Sequence, residues 1–272
     1  MKDVLYHYTN DAGLIGILSH REIWCSNVLY LNDSLEWQYG VDLFEEMLQE
    51  IIDGKVAPLN LLDAAWAKQI KQKFGGYYAA QKHASMNTFA PCYAASFSEE
   101  PDSLQQWRGY STRGARYAIG FRTEQLQALG SGTSLRKVEY DRDAAKHQMK
   151  VELAHMVQGA PVPADMEPVN WGARVCSDIG TACKHEKFKA ECEVRFRFNR
   201  QPESVHFRSG TSYLVPYVKL SIEPIADAIH SVWVGPTPHR VIARKAVEEL
   251  LRSNGVPAHD KVHTSEVPFR DW

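Results

Sequence analysis

The sequence predicts an α+β fold, and the distribution of two patterns along the chain carries that prediction. Segments with helical periodicity are concentrated before about residue 90, whereas segments with strand-like alternation dominate after it. The regular βαβ alternation that is typical of a doubly wound parallel sheet is missing from the sequence. The 272 residues are predicted to form a single α+β domain over residues 1–272, with a helical insertion at about residues 41–88.

The individual elements follow from periodicity and from residues that start or stop them. A first short strand is predicted at residues 5–9, and Asn10 or Thr9 can cap the helix that follows it. A second strand is predicted at residues 22–31, and two helices are predicted within about residues 41–83. Further strands are predicted around residues 92–98, 116–121, 135–140, 190–198, 213–219 and 231–235, and further helices around 101–110, 142–158 and 241–253.

Composition and charge restrict the class of protein. Lys and Arg total 31 and Asp and Glu total 33, a formal net charge of −2, which does not favour a protein that mainly coats nucleic acid or an anionic membrane. No apolar run approaches the roughly 18 residues of a membrane-spanning helix, and the first residues lack the apolar centre of a signal peptide. The five cysteines have no short paired spacing, which is typical of a reducing compartment. The sequence therefore predicts a cytoplasmic protein with no membrane partner.

Several motifs that would assign a reaction are missing from the sequence. It contains neither GxGxxG after a strand, nor a P-loop, nor the GxSxG of many hydrolases. Cys176, Cys183, His185 and Cys192 lie close along the chain, but without the spacing of a common zinc site. Buried or incidental cysteines are the simpler interpretation, and no metal is predicted.

Residues 190–198 show the clearest alternation in the chain, with apolar and charged side chains at alternate positions. The pattern predicts a strand with Cys192 and Val194 in the core and with Glu191 and Glu193 on the opposite face. One interpretation is a solvated face whose charges pair along the strand. The other is a cleft, where one carboxylate orients a ribose hydroxyl and stabilises an oxocarbenium ion while its neighbour activates an acceptor.

A second group of candidates spans a strand end and the helix after it. The hydroxyls of Ser96 and Ser98, on either side of Phe97, can hold a polar ligand or cap the following helix. Trp107 and Tyr110 are three residues apart and therefore share a helix face. Both core packing and an aromatic wall against nicotinamide or adenine are compatible with that spacing.

The first strand supplies a third candidate. Alternation places His7 on the face opposite Tyr6 and Tyr8, where it is either a satisfied structural residue or a ligand contact. The acidic residues of segment 32–36 are either a helix cap with its first turn or carboxylates beside a cleft.

Taken in order, these motifs resemble a large bacterial family of unknown function, domain family twenty-nine seventy-one. The resemblance rests on LYHYT, YLND with Glu36, SFSEEPDSLQQWRGY and KHEKFKAECEVRF. More distantly, the same order resembles the ADP-ribosyltransferase superfamily. That likeness implies split antiparallel sheets around a cleft, with NAD as the substrate. It also implies transfer of ADP-ribose to protein, nucleic acid or water, in a toxin or phage-defence setting.

The superfamily resemblance also implies roles for single residues. Glu193 would hold the ribose 2′-hydroxyl and stabilise the cationic transition state, and Glu191 would polarise the acceptor. His7 would bind the adenosine-side ribose. The full set of implied NAD-binding residues is His7, Tyr8, Ser96, Phe97, Ser98, Trp107 and Tyr110. The alternative is a non-catalytic sensor or adaptor that binds a nucleotide or a nucleic-acid end on the same scaffold.

Overall fold

The computed structural model divides the chain into two compact units. Unit 1 comprises Met1–Ser26, Tyr93–Lys137 and Lys189–Trp272, and unit 2 comprises Asn27–Cys92 and Val138–Phe188. The residues described are 1–31, 36–56, 63–81, 92–109, 115–129, 133–159, 175–176, 178–198, 204–210 and 212–268.

Strands and helices have the following bounds within those residues. The strands are β1 Val4–Asn10, β2 Glu22–Asn27, β3 Tyr93–Ser98, β4 Arg116–Arg122, β5 Thr133–Lys137, β6 Glu193–Phe198, β7 His206–Ser209, β8 Leu214–Ser221, β9 Ile229–Val234 and β10 Val262–Thr264. The helices are α1 Asp11–His20, α2 Glu36–Ile52, α3 Ala64–Gln81, α4 Leu104–Gly109, α5 Thr123–Gln127, α6 Arg142–Gly159, α7 Ile225–Ala228 and α8 Arg240–Ser253. None of these helices combines the length and the apolar character needed to cross a membrane.

A large, open and mostly antiparallel sheet forms the framework of unit 1. The strand order is β10-β9-β4-β1-β3-β2-β8-β7, and β6 lies between β3 and β5. Strand β3 is the branch point, because it pairs with β6 along its length and with β1 at Ser98. The β9–β10 pair is parallel. The predicted α+β class is confirmed.

One face of this sheet carries the apolar core of unit 1. Leu5, Phe97, Ile119 and Val194 belong to the same buried cluster, as do side chains from helices α1 and α8. The start of α1 is fixed as predicted, because the side chain of Asn10 accepts a hydrogen bond from the Gly13 N–H at 2.9 Å.

Two predicted strands are shorter in the structure than in the sequence analysis. Strand β2 ends at Asn27, whose side chain accepts from the Leu29 N–H at 3.0 Å and caps a 3₁₀ turn at Val28–Tyr30. The strand predicted from residue 190 begins at Glu193, because Glu186–Glu191 form a 3₁₀ helix. These caps and turns supply local hydrogen bonds to the backbone in place of pairing with a neighbouring strand, so the strand stops there.

The early part of β6 differs further from the prediction at Cys192. This residue has φ of 46°, in the left-handed region that L-residues rarely adopt. Its thiol is half-buried instead of entering the core. The predicted assignment of Cys192 to the core was therefore wrong, and Glu191 does not extend the β6 face on which Glu193 lies.

Unit 2 is helical and has a core of its own. Apolar side chains of α2, α3 and α6 pack there, among them Phe44, Ile70 and Met149, together with the buried Cys176 and Cys183. Helix α3 falls within the predicted insertion, whereas α2 begins at Glu36, ahead of it. Unit 2 also includes residues 138–188. The single-domain division stays a prediction.

Candidate functional site

The second face of the unit 1 sheet brings together three of the predicted site residues, Ser96, Ser98 and Glu193. Ser98 lies opposite Glu193 and Ser96 lies opposite Arg195 in the β3–β6 ladder. Tyr6 of β1 lies opposite Ser98 on the other edge of β3. Because cross-strand partners share a face, Tyr6, Ser98 and Glu193 form one row across three strands. We call this face, opposite the apolar core, the polar face.

The charged residues of β6 are buried on this polar face. Glu193 is 4% exposed and Arg195 is 1% exposed. The Arg195 guanidinium donates from Nε to Glu193 Oε1 at 2.8 Å and from Nη2 to Oε2 at 3.3 Å. Arg197, on the same face, is also 1% exposed. The alternation was predicted correctly from Glu193 to Phe198, but the interpretation as a solvated face was wrong.

Glu191 enters the site through its backbone. Its carbonyl accepts from the Ser98 hydroxyl at 2.8 Å and from Gln106 Nε2 at 3.1 Å. The Ser98 hydroxyl also accepts from the Glu100 N–H at 3.1 Å. Ser98 therefore joins the end of β3 to the turn that precedes β6. These hydrogen bonds do not cap helix α4, which begins at Leu104.

His7 lies on the face of the sheet opposite Glu193. Its Nδ1–H donates to the Ser96 carbonyl at 2.9 Å, and its ring centroid is 5.6 Å from that of Phe97. Burial lowers the pKa of His7, while the hydrogen bond to the carbonyl opposes that shift. The structure therefore places His7 beside Ser96 and Phe97 without bringing its ring to the polar face. The register of β1 on β3 decides this, because it sets Tyr6 and not His7 opposite Ser98.

Trp107 and Tyr8 form a small buried aromatic group on the polar face. Trp107 is 1% exposed, and its ring meets that of Tyr8 edge to face with centroids 4.6 Å apart. The indole N–H donates to Asp102 Oδ1 at 2.7 Å. The Tyr8 hydroxyl donates to the Glu100 carbonyl at 2.7 Å, and burial raises its pKa. These contacts favour core packing for Trp107; Tyr110 lies outside the described residues.

The structure also contains a groove that the sequence analysis did not foresee. It has a volume of about 400 Å³ and is lined by Asp102, Trp233, Arg244, Asp260, Val262, His263, Thr264 and Glu266. Trp233 and His263 face each other across the parallel β9–β10 pair, with ring centroids 4.9 Å apart. Burial, and next the charge of Arg244, lower the pKa of His263. A strand of three residues such as β10 is too short for its alternation to stand out in a sequence.

The comparison with family models matches residues 106–196 to a family described as "Protein of unknown function (DUF2971)". This match supports the predicted resemblance to that family over the matched residues. The matched segment contains Trp107, Glu191 and Glu193, whereas His7 and the two serines of β3 lie before it. No curated protein and no solved structure matches the chain.

The described part of the chain does not bring together a set of metal ligands. No group of three or more His, Cys, Asp or Glu residues there could hold a metal ion. The chemistry that the polar face offers comes from a buried carboxylate, two serine hydroxyls and buried arginine side chains.

Proposed function

We propose that the protein cleaves the nicotinamide–ribose bond of NAD and transfers ADP-ribose to an acceptor, in the manner of ADP-ribosyltransferases. The observation that supports this most directly is the register of β3 on β6, which sets Ser98 opposite Glu193. A hydroxyl and a buried carboxylate thus share one face of a branched antiparallel sheet. The acceptor is a protein, a nucleic acid or water.

Glu193 is the catalytic residue in this proposal. Its carboxylate holds the ribose 2′-hydroxyl and stabilises the positive charge that develops on the ribose as the C–N bond breaks. The electron pair of that bond leaves with nicotinamide, which departs as a neutral molecule. The acceptor then bonds to the ribose carbon and loses its proton. Arg195 fixes the carboxylate through its 2.8 Å and 3.3 Å contacts, so it is a positioning residue.

The other implied residues divide between the two faces of the sheet. Ser96 and Ser98 share the polar face with Glu193 and line the NAD site in this proposal. Glu191 polarises the acceptor from the turn before β6, where its backbone is held by Ser98. His7 and Phe97, which contact each other on the opposite face, support β3 from behind.

Release of nicotinamide from NAD tests the proposal. We expect the wild-type protein to release nicotinamide and Glu193→Gln to do so at least about a hundredfold more slowly, since one preorganised charge is removed. Glu99→Gln is the matched control. Glu99 directly follows β3, and its carboxylate also pairs with a cation, Lys137, at 2.8 Å. Equal rates for wild type and Glu193→Gln would exclude the catalytic role of Glu193.

A second candidate function is nucleotide binding without cleavage, as in a sensor or adaptor. The observation that favours it is the Arg195–Glu193 ion pair, which already engages both carboxylate oxygens. Calorimetric titration with NAD separates the two functions. Heat of binding without any release of nicotinamide would support the sensor, and release that depends on Glu193 would support the transferase.

A further inference from the structure

Three aromatic rings form a continuous row on strands β2, β8 and β7 of unit 1. Trp24 stacks on Tyr217 with ring centroids 4.3 Å apart and an interplanar angle of 23°. His206 lies on the other side of Tyr217 at 5.6 Å. Trp24 is 42% exposed, whereas Tyr217 is 6% exposed. The indole therefore covers the phenol and presents its outer surface to solvent. We call Trp24, Tyr217 and His206 the aromatic platform.

Register places the platform away from the apolar core. Ile23 and Val218, the sequence neighbours of Trp24 and Tyr217, are buried in the core cluster. Alternation along each strand then puts Trp24 and Tyr217 on the opposite face. A large aromatic ring that is displayed on this side of a sheet has no role in filling the core, and its exposure costs hydrophobic stabilisation.

Cationic side chains flank the exposed indole. Arg208 of β7 reaches across β8, and its Nη2 donates to the Ser26 hydroxyl at 3.2 Å. Ser26 follows Trp24 by two residues on the same strand face, so the guanidinium lies beside the platform. Lys219 lies directly opposite Trp24 in the β2–β8 ladder, and its amine is 3.1 Å from the Glu22 carboxylate. Among the described carboxylates, none forms an ion pair with Arg208.

We propose that the aromatic platform binds single-stranded nucleic acid, with a base stacked on Trp24 and a phosphate bound by Arg208. An exposed indole beside a guanidinium is the combination that single-strand binding proteins use, since every base has a flat face and every nucleotide carries a phosphate. This inference is independent of the proposed NAD chemistry, which uses β3 and β6.

An open surface suits a single-stranded nucleic acid better than a free nucleotide. Sites for small molecules usually enclose most of the ligand surface, whereas the platform is open. A single stacked base contributes modest affinity, and a single-stranded nucleic acid gains further contacts from the nucleotides on either side of that base. A protein partner is the less suitable occupant, because the most exposed apolar side chains nearby belong to the other face. Phe207, at 63% exposed, alternates with His206 and Arg208 along β7.

Fluorescence anisotropy with a labelled single-stranded oligonucleotide tests the proposal on the full chain. We expect Trp24→Ala to weaken binding about 5- to 100-fold, the usual range for loss of one stacking ring, and Trp24→Phe to restore most of the affinity. Arg208→Gln should lower the slope of log K against log salt concentration by about 0.7, the value for one phosphate contact on a single strand. Because Arg208 is exposed, Arg208→Gln is expected to fold normally. It therefore tests the proposal even if Trp24→Ala does not fold.

The controls use a variant on the same pair of strands, β7 and β8, and the same oligonucleotide. Phe207→Ala removes an exposed ring from the opposite face of β7 and should leave the affinity unchanged. The oligonucleotide annealed to its complement should bind more weakly, and adenosine monophosphate at millimolar concentration should not compete. Unchanged binding by both Trp24→Ala and Arg208→Gln, equal losses with Phe207→Ala, or equal affinity for the duplex would overturn the proposal. Nicotinamide release plays no part in these readouts, so the two proposals fail separately.

Discussion

The two faces of β6 are both buried, but by different means. Val194, Phe196 and Phe198 on one face are 0, 1 and 8% exposed and join the apolar cluster. Glu193 and Arg195 on the other face are just as inaccessible, yet they form an ion pair. Alternation in a sequence thus predicts which side chains share a face. It does not predict whether that face meets solvent.

The energetic consequences of the two faces also differ. Burial of an apolar side chain stabilises a fold by about 1.5–3 kcal/mol. Burial of a charged pair carries a desolvation cost that roughly cancels its attraction, so a buried ion pair is weak evidence for stability. Because stability alone does not account for such a pair, the polar face of the sheet is the place to look for function.

The largest effect is expected on the apolar face. Phe196→Ala should lower the free energy of unfolding by about 4 kcal/mol, because it deletes a buried ring and leaves a cavity. Urea denaturation followed by circular dichroism measures this. The control is Phe207→Ala, whose side chain is 63% exposed and whose loss should change the unfolding free energy by less than about 0.5 kcal/mol. Similar values for both variants would contradict the assignment of Phe196 to the core.

A somewhat smaller loss of stability is expected on the polar face, and a second substitution should reverse most of it. Arg195→Met should lower the free energy of unfolding by about 3 kcal/mol, because it leaves the Glu193 carboxylate buried without its bidentate partner. Adding Glu193→Leu in the same chain should recover most of that loss, since neither charge then has to be desolvated. Denaturation of the single and double variants measures the coupling. Additive losses would show that the two side chains do not act as a pair.

Trp107 tests whether an aromatic residue on the polar face behaves like core. Trp107→Phe retains a ring but removes the donor to Asp102, so we expect a loss of about 1–2 kcal/mol in unfolding free energy and no change in NAD affinity. A thermal melt and a calorimetric titration on the same variant measure both quantities. Weaker NAD binding at unchanged stability would instead assign Trp107 to the ligand site.

Much of the fold was visible in the sequence because local signals decide it. The cap at Asn10, the strands β3 and β4 and the helices α6 and α8 all follow from periodicity and from residues at their ends. The site was harder to predict because it depends on register. Whether Tyr6 or His7 meets Ser98 changes with a shift of one residue, and no local pattern encodes that shift.

The smallest effect is a pH dependence from the core face of β1. Burial lowers the pKa of His7, so the unfolded chain binds a proton more readily than the folded one. The stabilising contribution of neutral His7 is present above about pH 6.5, and it is lost as pH falls through the lower folded pKa. We expect the unfolding free energy to decline less steeply with acid in His7→Gln than in wild type. Parallel curves from pH 7.5 to 4.5 would contradict this.

Asp102 joins parts of the chain that are far apart in sequence. Its carboxylate accepts from Trp107 in α4, from the Ser265 hydroxyl at 2.5 Å and from the Glu266 N–H at 3.0 Å, across separations of 163 and 164 residues. Contacts of such long range carry a large loop-closure entropy and slow folding. The Asp102 junction is therefore expected to form late, after the sheet has brought β10 beside β9. Substitution of Asp102 should accordingly speed unfolding much more than it slows folding.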